Sequence, residues 1–211
     1  FGGDTFNATW YARQALPGAF PVAYLTALGG DTLSVRMLDM MAGAGIDMHL
    51  IGIREDVSCG LYLVETEGGE RSFRYWREAS AARGLVSELG RLPADLETGD
   101  TLLFSGITLA IIAEDDREIL LEYLARARKS GCTVAFDPNV RPSLWPSIAE
   151  LRHWLMRGAA TASHVLVSAE DHEIAFGPGD NTVISKRYLG AGSDLVVVKS
   201  GASDVLLARS D

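Results

Sequence analysis

Residues 52–77 read GIREDVSCGLYLVETEGGERSFRYWR, and this segment decides the fold because it interrupts an otherwise regular alternation. Two runs rich in β-branched and aromatic residues meet at Gly68 and Gly69, which predicts a β-hairpin where a crossover helix is due. Successive side chains of a strand point to opposite faces, so Phe73, Tyr75 and Arg77 share one side and Arg74 and Trp76 the other. Arg71, Arg74 and Arg77 interleave with these rings to make a basic, aromatic patch. Taken alone, such a segment is also what an exposed hairpin with a solvated charged face looks like. Inserted into an α/β sheet, it is expected to cover a site.

Outward from the hairpin, apolar β-rich runs of about five residues alternate with helical patterns, the spacing of repeated βαβ units and a mainly parallel sheet with helices on both faces. The expected strands are 22–26, 46–51, 101–105, 133–137, 164–168, 195–199 and 204–208. Asp4 is expected to cap a helix running through Ala12 to Leu16. Asp31 caps a second, with Leu33, Met37 and Met41 recurring every four residues and Gly43 and Gly45 ending it; Met37, Met40 and Met41 are read as core. Asp115 or Asp116 opens another, with Ile119, Leu120, Tyr123, Leu124 and Ala127 on one face and Gly131 as its stop. The expected division is an α/β domain over 1–51 and 78–211 and a β lid over 52–77.

The 211 residues are 47% hydrophobic and 22% charged, with 22 Gly and 7 Pro, the balance of a globular domain rather than a disordered or fibrous chain. A domain of this size buries about 70% of the surface its unfolded chain exposes and needs no disulfide or metal staple. Cys59 and Cys132 therefore read as free thiols, which with no apolar h-region and no apolar run near the ~20 residues of a membrane span points to a cytoplasmic setting and no membrane partner. The net charge of -9 argues against a nucleic-acid partner, because phosphate backbones call for a basic face. An anionic substrate would need locally concentrated positive charge, which the hairpin supplies.

Four short stretches carry the chemistry. FGGDTFN at residues 1–7 places two glycines before a helix start, where free N–H groups suit a hydroxyl or an anionic oxygen; an everyday turn would look the same, as would the Gly29-Gly30-Asp31 turn. Asp137-Pro138-Asn139-Val140-Arg141-Pro142 follows a strand, and in an extended backbone Asp137, Asn139 and Arg141 project together at the carboxyl end of the sheet, where open α/β sheets bind ligands. Ser168-Ala169-Glu170-Asp171 leads into a helix, its acids being either dipole complements or metal ligands. Lys199-Ser200-Gly201-Ala202-Ser203 ends a buried strand in a small-residue turn that can face phosphates or ribose.

The combination and order of these pieces resembles the ribokinase-like (PfkB) carbohydrate kinases over essentially the whole chain. GLYL, FRYWREASA, SGI and DPNVRPSLW are most similar to the branch that phosphorylates 2-keto-3-deoxygluconate. The resemblance implies a ribokinase-like three-layer α/β sandwich with an inserted β-hairpin lid, a sugar-acid substrate, ATP and Mg2+. It places Gly2, Gly3, Asn7, Tyr62, Tyr75, Arg77, Ile107 and Arg141 at the sugar, with forked guanidinium donors suiting an acid group and phenol hydroxyls suiting alcohols. It assigns Asn139, Ser168, Lys199, Gly201 and Ser203 to the nucleotide. The family's N-x-x-E signature falls on Ser168 to Asp171 with both positions substituted, and Asp171 is the metal candidate. The family's Gly-Ala-Gly-Asp motif, which holds the catalytic base, has no match up to Asp211, so the base is expected beyond the C-terminus, and the family's first strand is expected before Phe1. Other readings are a kinase for a neutral sugar such as fructose or ribose, or a non-catalytic sugar-binding fragment that forms a homo-oligomer through strand pairing of the hairpin. A Rossmann dehydrogenase and a P-loop kinase are disfavoured, since neither GxGxxG nor GxxxxGK[ST] is present.

Overall fold

The computed structural model describes residues 1–68, 70–92, 96 and 98–210. Two compact units divide the chain, Phe1–Ala94 and Asp95–Asp211.

The first unit opens with helix α1 (Asp4–Ala15), whose N-cap is Gly3 rather than Asp4. Asp4 lies one position inside, in the first turn, where its charge still complements the helix dipole. Strand β1 (Thr26–Gly29) pairs in parallel with β2 (Ile51–Arg54) in the register Thr26 with Ile51 and Gly29 with Arg54. Both strands lie later than the expected 22–26 and 46–51, because the earlier segments touch only through one bridge, Ala23 to Asp47, before the ladder forms. Helix α2 (Thr32–Gly43) lies between them, capped by Asp31 and followed by Gly45 in the left-handed region at φ 75°. Met37 and Met41 join Phe6, Leu28, Ile46 and Ile51 in the core of this unit, with Met40 packed at its edge. Leu33, expected on the same face, is exposed in the first turn, where Ser34 is the buried residue instead.

The hairpin consists of β3 (Leu61–Glu67) and β4 (Glu70–Trp76), antiparallel, with Tyr62 opposite Tyr75 and Leu63 opposite Arg74. Its turn begins at Gly68, with φ 59°; Gly69 and the side chain of Arg71 lie outside the described residues. The segment Gly52 to Arg54, placed in the lid on sequence grounds, belongs instead to β2, because its backbone completes the parallel ladder with β1.

The second unit is built on a five-stranded sheet in the order β5 (Thr101–Ser105), β6 (Thr133–Asp137), β7 (His164–Ser168), β8 (Leu195–Lys199) and β9 (Leu206–Arg209). The first four pair in parallel and β9 antiparallel. Val165, Val167, Val196 and Val198 are completely buried on one face, as β-branched strand residues prefer. The rings of Phe104 and Phe136 stack at 4.7 Å. Connecting helices are α3 (Gly106–Ile111), α4 (Glu114–Lys129), α5 (Ile148–Thr161), α6 (Ala169–Phe176) and α7 (Asn181–Gly190). In α4 the expected Leu120, Leu124 and Ala127 are buried, whereas Ile119 is exposed and Leu121 takes its place, a rotation of the apolar stripe by about one residue. That helix begins at Glu114, one or two residues earlier than the expected Asp115 or Asp116, with Glu114, Asp115 and Asp116 all inside its first turn. Among the described residues no helix is long and apolar enough to cross a membrane.

Candidate active site

In the first unit the hairpin face carrying Tyr62, Phe73 and Tyr75 is held by ring contacts. Tyr62 lies 6.2 Å from Phe73 and 6.1 Å from Tyr75, centroid to centroid, and Phe73 stacks on Tyr75. The guanidinium of Arg77 sits 4.2 Å above the Tyr75 ring, a cation–π contact that orients it. The Arg77 guanidinium makes no hydrogen bond or ion pair among the described residues, so its donors are unspent. The Tyr62 hydroxyl reaches the chain's start: a Cβ on Gly2 would collide with it and lie 3.7 Å from Oδ1 of Asn7. Gly3, at φ 155°, is the N-cap residue of α1. The structure thus brings together six of the sequence-derived sugar-site residues, Gly2, Gly3, Asn7, Tyr62, Tyr75 and Arg77.

In the second unit the carboxyl ends of β6, β7 and β8 line up Asp137, Ser168 and Lys199. Ser168 and Lys199 are paired in register, and Lys199 Nζ reaches across to Asp137 Oδ2 at 3.2 Å. Burial pushes the Asp137 carboxyl above its usual range, opposed by Lys199. Its other oxygen accepts the N–H of Asn139 at 3.2 Å. Asn139 adopts φ 36°, the sole non-glycine at positive φ among the described residues, a conformation asparagine tolerates better than most. The 137–141 run therefore turns at Asn139 and is not the extended ribbon expected. Arg141 instead turns back to donate to the Val140 carbonyl at 2.7 Å and lies 3.7 Å from Asp171 Oδ1.

Asp171 Oδ1 also accepts the Val140 N–H at 3.1 Å, and the Asp171 N–H is capped by Ser168 Oγ at 3.0 Å. The acid thus ties the start of α6 to the 137–141 turn. Among the described residues no three His, Cys, Asp or Glu side chains converge as a metal site, so these side chains form no closed cage. That donor set fits a divalent ion carried on nucleotide phosphates, which needs only one or two carboxylates. Ile107 is the second residue of α3, its N–H donating to the N-cap Ser105 Oγ at 3.1 Å. A Cβ at the intervening Gly106 would collide with the Pro138 carbonyl, so these two strand-end turns are in backbone contact. Gly201, at φ 58°, and Ser203 form the exposed turn between β8 and β9, Ser203 N–H donating to Ser200 O at 2.9 Å. Asp137, legible in the sequence as part of the polar run after β6, is given no site role by the family resemblance, yet it is the residue that Lys199 reaches.

The first unit thus presents aromatic rings and an arginine on a hairpin, and the second a parallel sheet with polar strand ends. The profile of the pfkB family of carbohydrate kinases matches residues 1–211, and the chain belongs to that family of ATP-dependent sugar kinases. The 2-dehydro-3-deoxygluconokinase of Escherichia coli (strain K12) is 39% identical over 212 residues, covering 99% of this chain and 69% of that protein. That of Haemophilus influenzae is 34% identical, covering 99% and 68%. A crystal structure of fructokinase from Vibrio cholerae O395, in a fructose, ADP and calcium ion bound form, superposes with a TM-score of 0.81 at 26% identity, covering 99% of this chain and 65% of that one. The chain spans about two thirds of the length of these relatives.

Proposed function

We propose that this chain carries the sugar and nucleotide sites of a kinase that transfers the γ-phosphoryl group of ATP to a hydroxyl of 2-keto-3-deoxygluconate, releasing ADP and the hydroxyl proton. The observation that carries the substrate assignment is Arg77: a guanidinium fixed over Tyr75, with no other hydrogen bond or ion pair among the described residues, beside the Tyr62 hydroxyl's face of the hairpin. A planar fork with unspent donors matches a carboxylate. The two 2-dehydro-3-deoxygluconokinases named above act on such an acid by their names, which supports the same reading.

In this reading the hairpin is the lid, Gly2, Gly3, Asn7, Tyr62 and Tyr75 are the sugar contacts of the first unit beside Arg77, and Ile107 and Arg141 are those of the second. Asn139, Ser168, Lys199, Gly201 and Ser203 hold ATP, with Lys199 as the cation for its phosphates and Asp171 as the acid nearest in role to Mg2+. The hairpin's outer face, with Leu61, Leu63 and Trp76 exposed, serves homo-oligomerisation, and the protein works in the cytoplasm.

The test is an ATP-consumption assay over 2-keto-3-deoxygluconate, fructose and ribose, for the natural protein and for Arg77→Ala. Loss of a charge-assisted hydrogen bond is worth about 1.5–3 kcal/mol, so kcat/KM on the acid should fall about ten- to a hundredfold while fructose is little affected. Equal losses on both sugars, or a natural preference for fructose, would turn the assignment to a neutral-sugar kinase.

A further inference from the structure

Asp31 reads in the sequence as a helix cap, yet its carboxylate has more partners than a cap needs. Oδ1 accepts the N–H groups of Leu33 at 2.9 Å and Ser34 at 3.1 Å, satisfying the first turn of α2. Oδ2 accepts the Ser34 hydroxyl at 2.7 Å and the backbone N–H of Cys59 at 3.2 Å, 28 residues away in sequence. Ser34 Oγ in turn accepts the Gly29 N–H at 3.0 Å, and Ser34 is fully buried. Hydrogen bonds to an ionised acceptor are roughly twice as strong as neutral ones.

Cys59 lies two residues before β3, at the root of the hairpin. The approach there is backbone to backbone: a Cβ on Gly29 would collide with the Val57 carbonyl and lie 2.8 Å from Ser58 Cα. The returning leg is fastened to the same point. Ser58 bridges Ser80, Ala81 N–H donates to Ser58 O at 2.9 Å, and Gly60 has Cβ atoms of Arg77 and Ser80 within 3.5 Å of where its own would be. One carboxylate therefore joins the start of α2 to the outgoing leg of the hairpin at Cys59, beside the Ser58 to which the returning leg is fastened, and Tyr62 follows three residues after its last contact.

We infer that Asp31 is a positioning residue for the sugar site, anchoring the root of the hairpin so that Tyr62, Tyr75 and Arg77 are presented at a fixed height. This rests on reading the hairpin as the lid of a sugar kinase. Its role as a cap and its role as an anchor are separable, because serine is as good an N-cap as aspartate but too short to reach a second chain segment while capping.

The test uses Asp31→Ser, with Ser147→Ala as a control that uncaps α5 in the other unit. Asp31→Ser should raise KM for the sugar about tenfold or more, since misplacement by about 1 Å can cost up to about 10²-fold, and leave KM for ATP unchanged. Amide hydrogen exchange should quicken at Cys59 and through the hairpin while the α2 amides keep their protection. Ser147→Ala should leave KM for the sugar unaltered. Unchanged exchange over residues 59–76, or quickened exchange with an unchanged sugar KM, would overturn the inference. Absence of turnover on every sugar by the natural protein would instead overturn the kinase reading, and the exchange measurement would still decide whether Asp31 anchors the hairpin.

Discussion

Replacing Gly2 by alanine probes the sugar site with a single methyl group. Gly2 is not among the positive-φ glycines, so alanine suits its backbone, and the one obstacle is the Tyr62 hydroxyl, which occupies the space of the new Cβ. Tyr62 Cζ lies 3.5 Å from that point and Asn7 Oδ1 3.7 Å, both ordinary contacts. The hydroxyl must therefore move by about 1 Å to reach a normal van der Waals separation. Because it is the free end of a half-exposed side chain, the fold should lose no more than about 0.5 kcal/mol. Catalysis should lose more. One neutral hydrogen bond to the sugar is worth about 0.5–1.5 kcal/mol, or about two- to tenfold in kcat/KM. Tyr62→Phe removes the same hydroxyl and with it the collision, so Gly2→Ala in the Tyr62→Phe background should be nearly neutral. A double-mutant cycle on kcat/KM for the sugar measures this coupling. Additive losses, or full activity of Gly2→Ala alone, would refute the placement of the Tyr62 hydroxyl against Gly2 at the sugar.

His172 is buried against Phe176 and Tyr188, and burial, with Arg187 nearby, pulls its pKa below the ordinary histidine range. The unfolded chain thus binds a proton that the folded one refuses, so stability should fall as pH drops below about 6.5, by up to about 1.4 kcal/mol per pH unit, and His172→Phe should flatten that slope in denaturant melts at pH 5 to 7. Gly106→Ala, which drives a methyl into the Pro138 carbonyl and to 3.0 Å from Leu155 Cδ2, should cost about 1–3 kcal/mol of stability by the shift in urea midpoint, far more than Gly2→Ala.

The sequence by itself determined the second unit's parallel strands with accurate ends at 101–105, 133–137, 164–168 and 195–199. Each is a run of at least three apolar residues closed by a polar one, and burial in a parallel sheet rewards that composition wherever the neighbours lie. It also determined the hairpin and its sidedness, since a period of two admits one partition of Tyr75 and Arg77 from Arg74 and Trp76. The strands of the first unit were decided by tertiary structure. The runs at 22–26 and 46–51 are as apolar as the segments that form β1 and β2, and the choice of Thr26 opposite Ile51 came from packing over Phe6, Met37 and Met41. Tertiary structure alone also decided the fate of the Asp137 to Arg141 run. Local alternation predicts an extended ribbon, but the Asp137 side chain captures the Asn139 N–H and Lys199 from two strands away, and Arg141 meets Asp171 across a turn. The Asn139 bond is local, but Arg141 and Asp171 lie 30 residues apart and Asp137 and Lys199 62 apart, beyond the reach of any periodicity, and they are brought together only when β6, β7 and β8 pair. The same holds for Asp31, whose capping role is local and legible, while its bond to Cys59 exists only because α2 and the root of the hairpin pack against one another.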